Sequence, residues 1–552
     1  MNKKKSMLPV ILCVAAIAVI GGGAVIGFGH FSYSGKRMNA LSYYGMVASD
    51  EAAVIVNDEV LDAKGIVRDG QIYLNYKTVW DYVDCGYYWD AAAKQLMLTL
   101  PGGTCSWSPD DGTGAVLDDG ENAWISADLI RDYSDVDLVT LEEPGRVVIR
   151  TKWSDLSTCT ATKKTQVRYR GGRKSEILTE VEAGDSLVLL DTVDEWSHVS
   201  TADGYIGYVK SNLLSADAEP AITHQTDERF IFPKVLSDSP VVMGWHYIDS
   251  AANNQYLADY ITGTTGMNTI SPTWLSLKDQ AGNILSHASA DYVNTAHAAG
   301  LKVWGMFGDV NGQEVRTGTV LADSSARATA VAQLMQIAAD TGMDGINVDL
   351  ETISEEEAPQ FLQFLKELSI AAHERGLVVS VDNFVPTYTW YYRRGEQVKC
   401  VDYLVIMGYD EHTLQSEEIG SVASSGFAEK GITDTLREAD PAYVINAVPF
   451  YGRCWVERYG SSVPDTQALS MAAQQEFLTA HGITPEWDAS VGQYVGTSDD
   501  GTARYSIWME DPESMKLRVE MIKNYNLAGV ACWRLGYETP EVWDVIASVM
   551  QG

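Results

Sequence analysis

Asp344-Gly345-Ile346-Asn347-Val348-Asp349-Leu350-Glu351 closes an apolar run that follows an amphipathic helical stretch. That placement reads as a strand delivering acids to its C-terminal end. Successive side chains of a strand alternate faces. Asn347, Asp349 and Glu351 therefore project to one side, and Ile346, Val348 and Leu350 to the other. Carboxylates crowded on one face raise one another's pKa. This suits a group that stays protonated near neutral pH and acts as a general acid. An isolated D-x-E is equally a polar strand end dipping into solvent, so the neighbouring segments must decide.

Upstream, the stretch Asp323 to Thr341 places Val331, Leu334, Met335 and Ala338 at i, i+3, i+4 and i+7, which predicts a helix with one buried face, ended by Gly342. Downstream, Ser354 and Glu357 form a capping box for a helix burying Phe361, Phe364, Leu365 and Leu368. Gly376 ends it before the strand Leu377–Val381, and Gly300 does the same before Leu301–Phe307. Eight strands are counted this way, near Val241, Asn268, Leu301, Asp344, Leu377, Tyr403, Tyr443 and Gly529. Eight strand-helix units over about 320 residues predict an α/β fold, a (β/α)8 barrel, whose site lies at the C-terminal strand ends.

Those ends carry the octet, then Met407-Gly408-Tyr409-Asp410 after the sixth strand, and Cys532-Trp533 in the eighth. Taken in barrel order, they resemble glycoside hydrolase family 18: D-G-x-D-x-D-x-E, M-x-Y-D and a tryptophan under the bound sugar. The likeness is nearest to the branch acting on bacterial cell walls and spore cortex. It implies that Glu351 protonates the glycosidic oxygen. Asp349 would orient the substrate's N-acetyl group, and Tyr409 would hold that group beneath C1. Trp533 would floor the sugar, and Met407 and Asp410 would support the site. The N-acetyl oxygen, not a second carboxylate, would be the nucleophile. Asp344 is expected to buttress the acids. Asn347 departs from the family's middle Asp; it cannot ionise, and its amide is expected to keep Asp349 charged. Asp382 and Asn383, Trp245 and Tyr247, Trp274, and Tyr451 and Arg453 sit near other strand ends. Each is either a sugar contact or a polar or aromatic strand end. Glu538 is read as a loop carboxylate, and Glu355-Glu356-Glu357 as an acidic first helical turn.

The rest of the chain adds context. Its 552 residues exceed one ordinary core. The net charge of −35 argues against nucleic acid, whose phosphates need a basic face. Lys3 to Lys5 precede an apolar run from Met7 to Phe28, long enough to span a bilayer with the N-terminus inside and the remainder extracellular. A cleaved signal peptide is the competing reading. Residues 1–30 thus form the anchor segment and residues 50–152 a stalk of short strands. The "YLNYKTVWDYV…YYWD…LMLTLP" pattern resembles the N-terminal module of copper amine oxidases, without a histidine cluster for copper. Residues 158–216 carry short strands ending in Gly204-Tyr205-Ile206-Gly207-Tyr208-Val209, which resembles bacterial SH3-like domains. Residues 230–552 are the barrel. The seven cysteines show no metal-ligand spacing, and Cys85–Cys105 is a possible bridge in an exported chain. The expected activity is retaining hydrolysis of a β-1,4-linked N-acetylglucosamine polymer, peptidoglycan ahead of chitin, with no metal or organic cofactor. The rival is a non-catalytic glycan-binding protein on the same scaffold.

Overall fold

The computed structural model describes residues 33–154, 156–216, 224–309, 315–461 and 463–550. The apolar segment Met7–Phe28 lies outside them. Among the described residues no helix is long and apolar enough to cross a membrane. The chain divides into two compact units, Met1–Trp89 with Trp107–Phe230, and Asp90–Ser106 with Ile231–Gly552.

In the second unit eight parallel strands close on themselves: β1 (Val241–His246), β2 (Thr269–Pro272), β3 (Lys302–Gly308), β4 (Gly345–Asp349), β5 (Val378–Phe384), β6 (Tyr403–Met407), β7 (Val444–Pro449) and β8 (Gly529–Trp533). Sequential strands pair from β1 to β7, and β8 joins β7 to β1. Strand alternation then sorts the side chains into two layers. Met243, Trp245, Trp304, Met306, Val405, Met407, Ile445 and Ala531 fill the barrel interior. Val242, Val303, Ile346, Val348, Val379, Leu404 and Val530 pack outward against the helices.

The helices follow their sequence signals. Helix α1 (Ser324–Thr341) is capped by the Asp323 side chain, buries Ala330, Leu334, Met335 and Ala338, and ends at Gly342, whose φ of 75° needs a residue without Cβ. Val331 is only partly buried. The Ser354/Glu357 capping box is present, but it opens a 3-10 turn, Glu355–Glu357, before helix α2 (Ala358–His373). Pro359 in the first turn of α2 accounts for the separate start.

One part of the barrel unit departs from the regular alternation. Between β7 and β8 the chain builds a five-stranded antiparallel sheet from Tyr451–Arg458, Asp465–Ser470, Glu486–Asp488, Gln493–Asp499 and Ala503–Trp508, with a helix over Met471–His481. Residues Asp90–Ser106, read from sequence as stalk, also belong to this unit: Gln363 Nε2 of α2 donates to Thr99 Oγ1 at 2.8 Å.

In the first unit a seven-stranded sheet spans residues 51–150, and seven short strands from Ser157 to Ala216 form the SH3-like domain. The two are not separate beads. Tyr44, Met46, Ala53 and Ile55 share one apolar cluster with Cys159, Val167, Val199 and Val209. Arg146 reinforces the junction by donating from Nε to the Asp203 carbonyl at 2.7 Å. Cys105 carries a free thiol, so the bridge that the sequence allows is not formed.

Closure of the barrel is tightest where β8 meets β1. A Cβ on Gly529 would lie 2.1 Å from the Val241 carbonyl oxygen. Gly529→Ala is expected to destabilise the barrel by at least about 1–3 kcal/mol. Gly426→Ala is expected to be neutral or stabilising, since that helical glycine faces open space. Thermal melting of both variants checks the contrast.

Candidate active site

Chain geometry gathers acids at one end of the barrel. Asp349 ends β4 with Glu351 two residues on, Asp309 follows β3, Asp382 lies in β5, and Tyr409 and Asp410 follow β6. Tyr247, Thr273, Met306, Asp349, Glu351 and Trp533 border a cleft of about 100 Å³. Burial, with Asp309 and Asp410 as like charges, pushes the Glu351 carboxyl up to about 7. Asp349 is raised well above the usual carboxylate range by burial, then by Asp382, Glu351 and Asp309. Asp382 is raised likewise by burial and by Glu351, against a lowering hydrogen bond from Asn347. These carboxyls cannot all be ionised together at neutral pH. Asp349 Oδ1 is buried with no hydrogen-bond partner among the described residues. Asp349 lines the cleft, and this oxygen is an acceptor left without a donor.

Asn347 lies one layer below, wholly buried. Its Oδ1 accepts from Trp245 Nε1 at 2.8 Å and Ser271 Oγ at 3.1 Å. Its Nδ2 donates to Ser380 Oγ at 3.0 Å and Asp382 Oδ1 at 2.7 Å. Both ends of the amide are satisfied by partners on three strands, β1, β2 and β5. The expected donation to Asp349 is therefore corrected: the amide serves Asp382, and Asp349 is left without it.

Tyr409 is buried in the interior cluster that holds Met407, Trp245 and Tyr451, and its hydroxyl pKa is raised well above the usual range, chiefly by burial. Asp410 has a φ of 61° and accepts from the Tyr451 hydroxyl at 2.6 Å, with Arg453 Nη2 at 4.0 Å from the same oxygen. Tyr451 and Arg453 come from the first strand of the inserted sheet, which thereby closes one side of the site.

Several expected residues lie elsewhere. Asp344 precedes β4, five residues and about 16 Å of extended chain from Asp349 at ~3.3 Å per residue. There it pairs with Lys302 Nζ at 2.9 Å and His297 Nε2 at 2.7 Å and accepts from the Val303 N–H. It holds the other end of the barrel and does not buttress the acids. Asn383, adjacent to Asp382, points to the opposite face of β5 and donates to Gln397 Oε1 at 2.9 Å. Trp245 is 1% exposed and lies edge-on to Trp533 with ring centres 5.8 Å apart, so it supports the cleft from beneath and offers no open face. Trp274 is buried and donates to Asn254. Glu538 accepts from Trp543 Nε1 at 3.1 Å, a local loop role as read from sequence.

Asp309 was not legible as a site residue. Its Oδ1 accepts the Glu351 N–H at 2.8 Å, and its Oδ2 accepts from the Thr352 hydroxyl and, at 3.4 Å, the Thr352 N–H. It fixes the turn that carries Glu351 while opposing that residue's ionisation. The available signal was its place as the first acid after the third strand.

An eight-stranded parallel barrel with buried acids at its C-terminal rim defines a glycosidase-like site. The profile described as "Glycosyl hydrolases family 18" matches residues 242–538, more than half of the chain, and the chain belongs to that family. It is a glycoside hydrolase with an SH3 domain: "Bacterial dipeptidyl-peptidase Sh3 domain" matches residues 168–214. The chain is 23% identical over 295 residues to the "Uncharacterized glycosylase YvbX" of Bacillus subtilis, covering 51% of this chain and 84% of that one. It is 24% identical over 240 residues to the "Cortical fragment-lytic enzyme" of the same organism, covering 41% of this chain and 54% of that one. The chain thus spans about half the length of the second relative. In fold it is similar to a chitinase from Chromobacterium violaceum, with a TM-score of 0.51 and 23% identity over 57% of this chain and all of that one.

Asp309→Asn should lower the Glu351 pKa below about 7, since a like charge that disfavours the ionised form is removed. Isotope-edited infrared titration of the Glu351 carboxyl reads this directly. An unchanged or raised pKa would show that Asp309 does not act on Glu351 by its charge.

Proposed function

We propose that the chain hydrolyses β-1,4-linked N-acetylglucosamine-containing glycans, peptidoglycan ahead of chitin, with retention at C1 by substrate assistance. One observation carries the reading: a Glu351 carboxyl raised to about 7 stands beside a buried Asp349 whose Oδ1 lacks a donor. The first is suited to deliver a proton near neutral pH, and the second to accept the acetamide N–H. Glu351 protonates the glycosidic oxygen as the acetamide oxygen attacks C1. The C1–O bond breaks and an oxazolinium forms. Asp349 steadies its N–H, the Tyr409 hydroxyl donates to the acetamide oxygen, and Trp533 presents an apolar face to the sugar. Water then attacks C1, with Glu351 taking its proton, and the N-acetyl group is restored. Asp382, held by Asn347, supplies a further buried carboxyl on the neighbouring strand, level with Asp349.

The SH3 domain and the similarity to a cortical fragment-lytic enzyme favour peptidoglycan over chitin. The apolar run Met7–Phe28 favours an exported chain, retained as an anchor or cleaved as a signal. The rival, glycan binding without turnover, rests on Asn347. Against it, Asn347 is satisfied on both sides, so its presence leaves Glu351 and Asp349 free to act.

Glu351→Gln should retain glycan binding but lose about 10²–10⁴-fold in rate, because an amide cannot deliver the proton. In the wild type, activity should fall as pH rises through about 7, where the acid loses its proton. Turnover of the Gln variant at near wild-type rate would overturn the assignment, and no turnover by either protein would favour the rival.

Substrate assistance has its own test. A glycan deacetylated at the sugar next to the cut should bind and resist cleavage, while a thiazoline mimic of the oxazolinium should inhibit. Inversion at C1 seen by NMR would exclude the mechanism even with hydrolysis intact.

A further inference from the structure

The chain carries a net charge of −35, yet Lys163-Lys164-Thr165-Gln166-Val167-Arg168-Tyr169-Arg170-Gly171-Gly172-Arg173-Lys174 holds six cations and no acid. This segment crosses the SH3-like domain, whose strand Thr165–Arg168 forms one side of a groove of about 560 Å³. Lys163, Lys164, Arg168 and Lys210 line it, against one carboxylate, Glu180. Two of these cations have carboxylate partners. Lys164 pairs with Glu182 at 2.6 Å and Glu180 at 3.4 Å, and Lys210 pairs with Glu195 at 3.0 Å. Glu180 is further engaged by Arg37 at 2.7 Å.

Arg168 is different. Its residue is 3% exposed, covered by Tyr33, whose ring centre lies 5.1 Å from the guanidinium carbon. Its hydrogen bonds go to neutral acceptors, the carbonyls of Ser34 at 3.0 Å and Ser175 at 2.7 Å and the Gln166 amide oxygen. No carboxylate pairs with it among the described residues. A covered guanidinium without a counter-ion is costly unless an anion completes it. Burial accordingly lowers its pKa. Lys163, beside it in the groove, also has no ion-pair partner among the described residues.

We infer that this groove of the SH3-like domain binds the phosphate or carboxylate groups of an anionic polymer, with Arg168 and Lys163 as the principal contacts. Beyond its bonds to Ser34, Ser175 and Gln166, Arg168 has Nε–H and one Nη2–H left for an oxyanion, and the lysines add charge along the groove. The groove is larger than one oxyanion requires, which fits a chain of repeating anionic groups. The inference stands on the SH3-like domain alone and is independent of turnover in the barrel.

Calorimetric titration of the full chain tests it, in the Glu351→Gln background so that no probe is consumed. Poly(glycerol phosphate) supplies phosphate, poly-γ-glutamate supplies carboxylate without any N-acetylglucosamine for the barrel to hold, and chitooligosaccharide is the neutral control. At least one anionic probe should bind, and binding should weaken about tenfold or more between ~50 mM and ~500 mM salt. Lys163→Glu, a groove-rim change, should weaken that binding about tenfold while leaving chitooligosaccharide binding unchanged. Arg168→Gln should abolish it if the domain still melts cooperatively; if that variant does not fold, Lys163→Glu decides alone. Binding by phosphate only or carboxylate only names the source. No binding by either anionic probe, salt-independent binding, or binding untouched by Lys163→Glu would overturn the inference.

Discussion

Carboxyl groups buried at one rim of a parallel barrel set the terms for everything around them. Burial raises Asp349, Asp382 and Glu351, and like charges add to it: Asp382, Glu351 and Asp309 act on Asp349, Glu351 on Asp382, and Asp309 and Asp410 on Glu351. Such a cluster persists only if the scaffold forbids its members from moving apart or turning to water. The scaffold does so through backbone: two of the acids sit on β4 and β5, neighbours in a closed sheet, and the third on a turn tied to Asp309. The barrel is thus both the support of the site and the source of its unusual protonation.

Much of this was legible in the sequence because it follows from period and punctuation. Helix α1 announced itself by its apolar spacing and its terminal glycine, and the strands by short apolar runs after such glycines. Period 2 also placed Asn347 and Asp349 on the barrel interior. The same rule would have separated Asp382 from Asn383, which were read together although adjacent strand residues face opposite ways. Asp344 was misplaced for a related reason. An eight-residue signature looks like one site in text, but a five-residue strand puts its ends at opposite rims.

What escaped the sequence lacks an apolar run. Strand Asp465–Ser470 is mostly polar and exposed, and Gln493–Asp499 is half-buried, so neither interrupts a count of buried parallel strands. Asp309 escaped because its partners are backbone groups, which no side-chain pattern reveals. In the first unit, domain limits drawn from composition missed the shared core, where Tyr44 and Ile55 pack with Val167 and Val199. Composition marks where the chain changes character; it does not mark where apolar surface is buried.

The amide of Asn347 has a consequence for where protons sit. Indole Nε1–H can only donate, so the Trp245 contact fixes the oxygen end of the amide toward Trp245 and its nitrogen end toward Asp382. Asp382 Oδ1 is thereby committed as an acceptor. A proton that Asp382 carries is favoured on Oδ2, the oxygen that Asn347 does not engage. An aspartate in place of Asn347 could trade that proton back and forth; the amide cannot. A single uncharged side chain thus gives the acid cluster a polarity, assigning one named oxygen atom to the proton.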